Sequence, residues 1–164
     1  VKDYYANCLK RHRKNKNVSV LNIAIGEEEG KLEIFKGESL STFSKEHVNA
    51  YSKMDWSKHI DLSQKEICNV KTLDSVLSNN SIKRGFEVLV IDVEGYEHQV
   101  LNSFDINIWK PKFIIIELLD LNDQYIEYKE IIADHKSIRS KIQNPGYDEI
   151  YQDEINTIFR TQDF

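Results

Sequence analysis

The chain has 164 residues, of which 30% are charged and 40% hydrophobic, and a formal net charge of -5. That is an ordinary soluble balance, long enough for a single domain, residues 1–164, with a real core. The acidic sign argues against a nucleic-acid partner, which draws a basic field, and no apolar run approaches the roughly 20 residues of a membrane span.

In chain order, residues 3–14 predict an amphipathic helix with Tyr4, Tyr5, Cys8, Leu9 and His12 on one face. Its end carries Lys10, Arg11, Arg13, Lys14 and Lys16, read as a solvated cluster that complements the helix dipole. Residues 18–26 predict a β-branched strand and residues 31–35 a second one. Joined by the turn Glu27-Glu28-Glu29-Gly30, the two are expected to form a hairpin. Residues 39–63 are polar with scattered aromatics, and two readings stand side by side: a lid or substrate wall, or a short helix over 44–51 whose aromatics anchor in the core. His47 and His59 in this stretch read as structural or solvated. Residues 66–70 predict a strand, followed by a short helix capped by Thr72 or Asp74. The spacing of Tyr128, Ile131, Ile132, His135, Ile138 and Ile142 predicts a helix over about 124–142 that ends at Asn144-Pro145-Gly146. Residues 147–151 and 157–160 are expected as a closing antiparallel pair. Strands alternating with helices make the fold class α/β with a mixed sheet.

The centre of the pattern is residues 86–101. Val88-Leu89-Val90-Ile91 is apolar at both parities, the signature of a strand covered on both faces. It ends on Asp92, Glu94 and Gly95, and a helical stripe of Tyr96, Val100 and Phe104 follows. Residues 110–119 repeat the design and end on Glu117. Ligands of open α/β sheets bind beyond the carboxyl ends of strands, where these acids fall. Asp92, Glu94 and Glu117 are therefore the candidate catalytic residues, able to take a proton, orient a hydroxyl or hold a cation. Asp92 and Glu117 follow long apolar runs, where a charge is costly unless it faces a cleft. Glu97 reads instead as an acid that stabilises the start of its helix.

The chain resembles the FkbM-type methyltransferases, which use S-adenosylmethionine. Residues 72–77 (TLDSVL), 90–101 (VIDVEGYEHQVL, with D-x-E-G-x-E at Asp92, Glu94, Gly95 and Glu97) and 110–118 (KPKFIIIEL) carry the resemblance. Residues 22–35 are similar to the family's earlier hairpin and 146–159 to its ending, so the likeness spans nearly the whole chain. It implies a Rossmann-like class I methyltransferase fold with sheet order 3-2-1-4-5-7-6, in which residues 18–25 are the third strand and 88–93 the fourth. It also implies methyl transfer from S-adenosylmethionine to a hydroxyl of a sugar or other small-molecule or glycan acceptor. Asp92 would then act as base or orienting group, and Ala24, Ile25, Ser41 and Asp92 would contact the donor, with Ser39 and Thr42 as further wall. No metal ligand is implied.

The chain departs from that pattern in one respect. Its six glycines, at 26, 30, 37, 85, 95 and 146, form no Gly-rich loop, and Val1 is not Met. The first strands, with the donor cradle and the ribose-binding acid, are thus expected outside this segment, and residues 1–164 alone are expected to be inactive. The open sheet edge this leaves is expected to recruit those strands from a missing segment, to pair with another copy as a homo-oligomer, or to take the hairpin of residues 18–35 onto the central sheet. The widely spaced Cys8 and Cys68 fit a reducing, cytoplasmic setting without a disulfide. Two other classes compete: an interaction module that keeps the sheet without catalysis, and a Mg²⁺-dependent hydrolase built on Asp92, Glu94 and Glu117, which has no supporting histidine pair.

Overall fold

The computed structural model describes residues 1–163. Helix α1 (Lys2–His12) has Asp3 in its first turn and Lys10, Arg11 and His12 in its last, the polarity that suits its dipole. It buries none of its residues. Its start is tethered by the Lys2 amide, which donates to Glu66 Oε1 at 3.1 Å.

Three strands follow: β1 (Ala24–Ile25), β2 (Gly30–Phe35) and β3 (Lys65–Lys71). The expected hairpin is not formed. β1 runs parallel to β3, with Ala24 opposite Val70, and β2 runs antiparallel to β3, from Gly30 opposite Val70 to Phe35 opposite Lys65. β3 is therefore the middle of a three-stranded sheet, β1-β3-β2. Residues 18–23 are not part of a ladder, and Val18 and Leu21 lie exposed.

Between β2 and β3 the chain forms a 3₁₀ turn (Glu38–Leu40) and helix α2 (Lys45–Tyr51). Ser44 caps α2, its Oγ accepting from the His47 amide at 3.2 Å. Leu40, Ala50, Tyr51, Met54 and Leu62 pack with Leu119, Tyr125 and Ile131 as a small second core. The short helix expected over residues 44–51 is formed, with Tyr51 anchored in that core.

Helix α3 (Leu73–Asn79) is capped by Thr72, which accepts from the Ser75 amide. Asp74 instead accepts from the Trp109 indole. Then come β4 (Val88–Ile91), α4 (Glu97–Asn102), α5 (Ile106–Trp109) and β5 (Phe113–Glu117). A 3₁₀ turn (Asp123–Tyr125) precedes α6 (Lys129–Gln143), which starts later than its periodicity predicts. β6 (Tyr147–Gln152) and β7 (Asn156–Thr161) close the chain as an antiparallel pair. The second sheet runs β4-β5-β7-β6, with β4 parallel and β7 antiparallel to β5. The α/β class stands, but as two mixed sheets rather than one. The second sheet has the order expected for the fourth to seventh strands, and the first sheet does not join it.

The main core lies on one face of the second sheet, where Ile91, Ile114, Ile116 and Phe159 meet Val100 and Leu101 of α4 and Ile138 and Ile142 of α6. The expectation that β4 is covered on both faces fails. Leu89 and Ile91 point to the core, while Val88 and Val90 are 46% and 63% exposed. The apolar run recorded composition at both parities, but among the described residues nothing packs over the outer face of β4.

Candidate active site

β4 and β5 are parallel neighbours, with Ile91 opposite Ile116, so their carboxyl ends open at the same edge. Asp92 follows β4 directly and is exposed. The chain then turns through two left-handed residues, Glu94 (φ 55°) and Gly95 (φ 87°). Glycine takes that conformation without strain; Glu94 must be held in it. Thr42 Oγ1 donates to the Glu94 carbonyl at 2.5 Å, and the Tyr51 hydroxyl donates to Glu94 Oε2. From the other side, Glu97 Oε1 accepts from the amides of Val93 (3.1 Å) and Gly95 (3.2 Å). The His47 ring lies directly over Gly95, where a Cβ would run into it.

Glu97 stands in the first turn of α4, as its position suggested, but it is not solvated there. It is 0% exposed and serves as the inner clamp of the acidic turn. Burial pushes its carboxyl up to about 7, and its backbone hydrogen bonds work against that rise. His47 and His135 are likewise buried, and burial pushes both down to about 4, so both imidazoles are neutral at physiological pH. Leu119 N–H donates to His135 Nδ1 at 2.6 Å, which places the ring proton on Nε2. That Nε2 faces Glu97 Oε2 at 3.9 Å, a neutral imidazole against a carboxyl rather than an ion pair.

At the end of β5, Glu117 completes the cluster: carboxylate oxygens of Asp92, Glu94 and Glu117 lie within 4.8 Å of one another. Burial raises Glu117 to about 8, reinforced by repulsion from Glu94, Glu97 and Asp92. Burial also raises Glu94, opposed by the Tyr51 hydrogen bond and assisted by Asp92. Near neutrality Glu117 thus keeps its proton, and the cluster offers hydrogen-bond acceptors and a carboxylic donor at one edge. Such a spacing would also suit a hard cation, although acidic groups often gather without one. His98, the histidine nearest in sequence, pairs with Asp134 at 2.6 Å instead.

Beside the cluster lies a cavity of about 520 Å³, and Ala24, Ile25, Ser41, Asp92 and Glu94 all line it. Ser39 is also in its wall, together with Phe43 and Tyr96, whose rings stack at 5.0 Å. Thr42 is not: it is fully buried and turned to the acidic turn. Glu117 is not in that wall; its carboxyl lies within 4.8 Å of those of Glu94 and Asp92. Sequence reasoning missed Tyr51, Tyr125 and His135. Burial holds the Tyr51 and Tyr125 phenols well above their ordinary value. Nothing in the local pattern around Tyr51 marks it; His135 on an apolar helical stripe was the one available signal.

No curated protein and no solved structure matches the chain. The Methyltransferase FkbM domain matches residues 2–149, which contain both acidic strand ends and every wall of the cavity named above. The chain belongs to the FkbM methyltransferase domain family.

Proposed function

We propose that the domain transfers a methyl group from S-adenosylmethionine to a hydroxyl of a small-molecule or glycan acceptor. The observation that carries this reading is the convergence of Ala24, Ile25, Ser41 and Asp92 on one cavity at the edge where the three carboxyls gather. Its volume, about 520 Å³, falls in the range of roughly 300–1,000 Å³ typical of small-molecule sites. The lining suits the donor: Ile25 and Phe43 offer apolar surface to a flat heterocycle, Ser41 a hydroxyl, and Asp92 and Glu94 carboxyl groups to a cationic centre. When bound, S-adenosylmethionine supplies an electrophilic methyl group on a positively charged sulfur.

The chain's own residues then have separate tasks. Asp92, exposed at the end of β4, accepts the proton of the acceptor hydroxyl as that oxygen develops charge. Glu94, fixed by Tyr51 and Thr42, keeps one carboxyl oxygen toward the cleft. Glu117, outside the wall and carrying its proton, lies within 4.8 Å of the Asp92 and Glu94 oxygens as an uncharged neighbour. The test is transfer of labelled methyl from S-adenosylmethionine to a panel of sugars and hydroxylated small molecules, using the protein as it occurs in its host. Transfer that Ala24→Trp abolishes with the fold intact supports the reading. Transfer to amines alone would remove the hydroxyl acceptor, and transfer unaffected by Ala24→Trp would remove the cavity.

A further inference from the structure

Three buried side-chain atoms near the acidic turn have no hydrogen-bond partner: Glu97 Oε2, His135 Nε2 and His47 Nε2. Unpaired polar atoms in an interior are costly and uncommon. Two of these face each other at 3.9 Å, and each belongs to a side chain whose other polar atom grips one of the two strand ends. Glu97 holds the turn after β4 through the Val93 and Gly95 amides. His135, reaching in from α6, holds the segment after β5 through the Leu119 amide. Leu119 lies two residues beyond Glu117, and Val93 and Gly95 flank Glu94.

We propose that Glu97 and His135 are a pair of positioning residues that lock the carboxyl end of β4 to that of β5 and so set the spacing of Asp92 and Glu94 against Glu117. The tautomer is what makes the lock specific. Because Nδ1 accepts from Leu119, Nε2 carries the proton and can only donate, and Glu97 Oε2 is the acceptor in front of it. At 3.9 Å the two atoms stand about 1 Å beyond hydrogen-bond distance, and neither has another partner among the described residues. Neither group touches the cavity: His135 is 1% exposed, Glu97 is 0% exposed, and neither is in its wall. Their effect on chemistry is therefore indirect, through the pose of the carboxyls. That consequence rests on the methyl-transfer reading, whereas the lock itself does not.

The test is native-state amide exchange on the intact protein, read across the pair. His135→Leu removes the grip on Leu119 and keeps an apolar body of similar bulk. If the lock exists, the Val93 and Gly95 amides, which His135 does not touch, exchange at least tenfold faster. Exchange at Ile158 in β7 reports whether the whole domain has loosened. His135→Gln can accept from Leu119 and donate to Glu97 through one side chain, and is expected to restore Val93 and Gly95 to within threefold of wild type. In the reciprocal direction, Glu97→Gln keeps an acceptor for the turn but sets an amide donor against Nε2–H, and Leu119 exchange is expected to rise tenfold. If His135→Leu fails to fold, the Leu119 rate in Glu97→Gln decides alone. Val93 and Gly95 unchanged in His135→Leu, no rescue by His135→Gln, or Leu119 unchanged in Glu97→Gln would each overturn the proposal. None of these readouts requires methyl transfer, so loss of the enzymatic reading leaves them standing.

Discussion

Asp92 and Gly95 stand three residues apart and are expected to fail in opposite ways. Asp92 is exposed, so Asp92→Asn should change stability by less than about 0.5 kcal/mol. As the base, its loss should cut turnover on the order of 10²–10⁴-fold with donor affinity little changed. Turnover within a few-fold of wild type in a labelled-methyl assay would remove it from that role. Gly95 carries φ 87° and lies against the His47 ring. Gly95→Ala adds backbone strain of roughly 1–3 kcal/mol to overpacking of similar size, so denaturant unfolding should show a loss above about 2 kcal/mol. An unfolding curve that matches wild type would mean that the turn can relax without His47. The position of Glu97 in its helix suggested a minor substitution; its burial makes Glu97→Ala a change that leaves two turn amides without their acceptor, at about 1–3 kcal/mol.

Among the elements, β4 and β5 show how the same residue type carries different weight. Ile116 is 0% exposed in the main core, and Val90 is 63% exposed on the uncovered face. Ile116→Ala is expected to cost roughly 2–5 kcal/mol through lost burial and a cavity, and Val90→Thr about 0.5 kcal/mol or less. Thermal unfolding of the two variants side by side checks this. A large loss at Val90 would show that another surface covers that face in solution. α6 ties the elements together: Ile138 and Ile142 enter the main core, Ile131 the second core, and Arg139 bridges Asp120 and Glu149.

For the whole molecule, the buried titratable groups set a pH window of stability. Glu97 and Glu117 are raised from 4.5 to about 7 and about 8. Over that range the folded state binds more protons than the unfolded, so their contribution is fully present below pH 4.5 and is lost as pH rises through the folded values. His47 and His135 are lowered from 6.5 to about 4. Their contribution is fully present above pH 6.5 and is lost as pH falls toward 4. Between pH 4.5 and 6.5 the two pairs oppose each other. Melting temperature is therefore expected to be flat in that window and to fall from pH 6.5 to 8, and Glu117→Gln should flatten the alkaline limb. A melting temperature that rises between pH 6.5 and 8 would contradict the burial of these acids. Donor affinity is also a property of the whole. No glycine lines the cavity, and the six in the sequence form no Gly-rich turn. Residues 1–164 by themselves are expected to bind S-adenosylmethionine weaker than micromolar; tighter binding in a calorimetric titration would show that the donor site is complete without such a turn.

While α5 was not legible and α2 was one of two readings, local pattern alone determined α1, α3, α4 and α6, the strands β2 to β7, the closing antiparallel pair and the candidate acids. These depend on period, caps and turn residues, which act over a few positions: Thr72 at a helix start and Asn144-Pro145-Gly146 at a helix end need no distant partner. The family was legible for the same reason, since Asp92, Glu94, Gly95 and Glu97 lie close together in the sequence around one turn. What pairs with what was decided only by the tertiary structure. The run Ala24–Ile25 and the strand Gly30–Phe35 each pair with β3 because hydrogen-bond partners are chosen by the whole sheet, and a short connection between two strands does not oblige them to pair. Val90 faces outward because coverage depends on which layers are present, a matter on which an apolar run is silent. Glu97 keeps its place at a helix start, but its burial as a clamp follows from α6 bringing His135 to it from 38 residues along the chain. Charge and spacing name an acid; only its surroundings decide whether it keeps its proton.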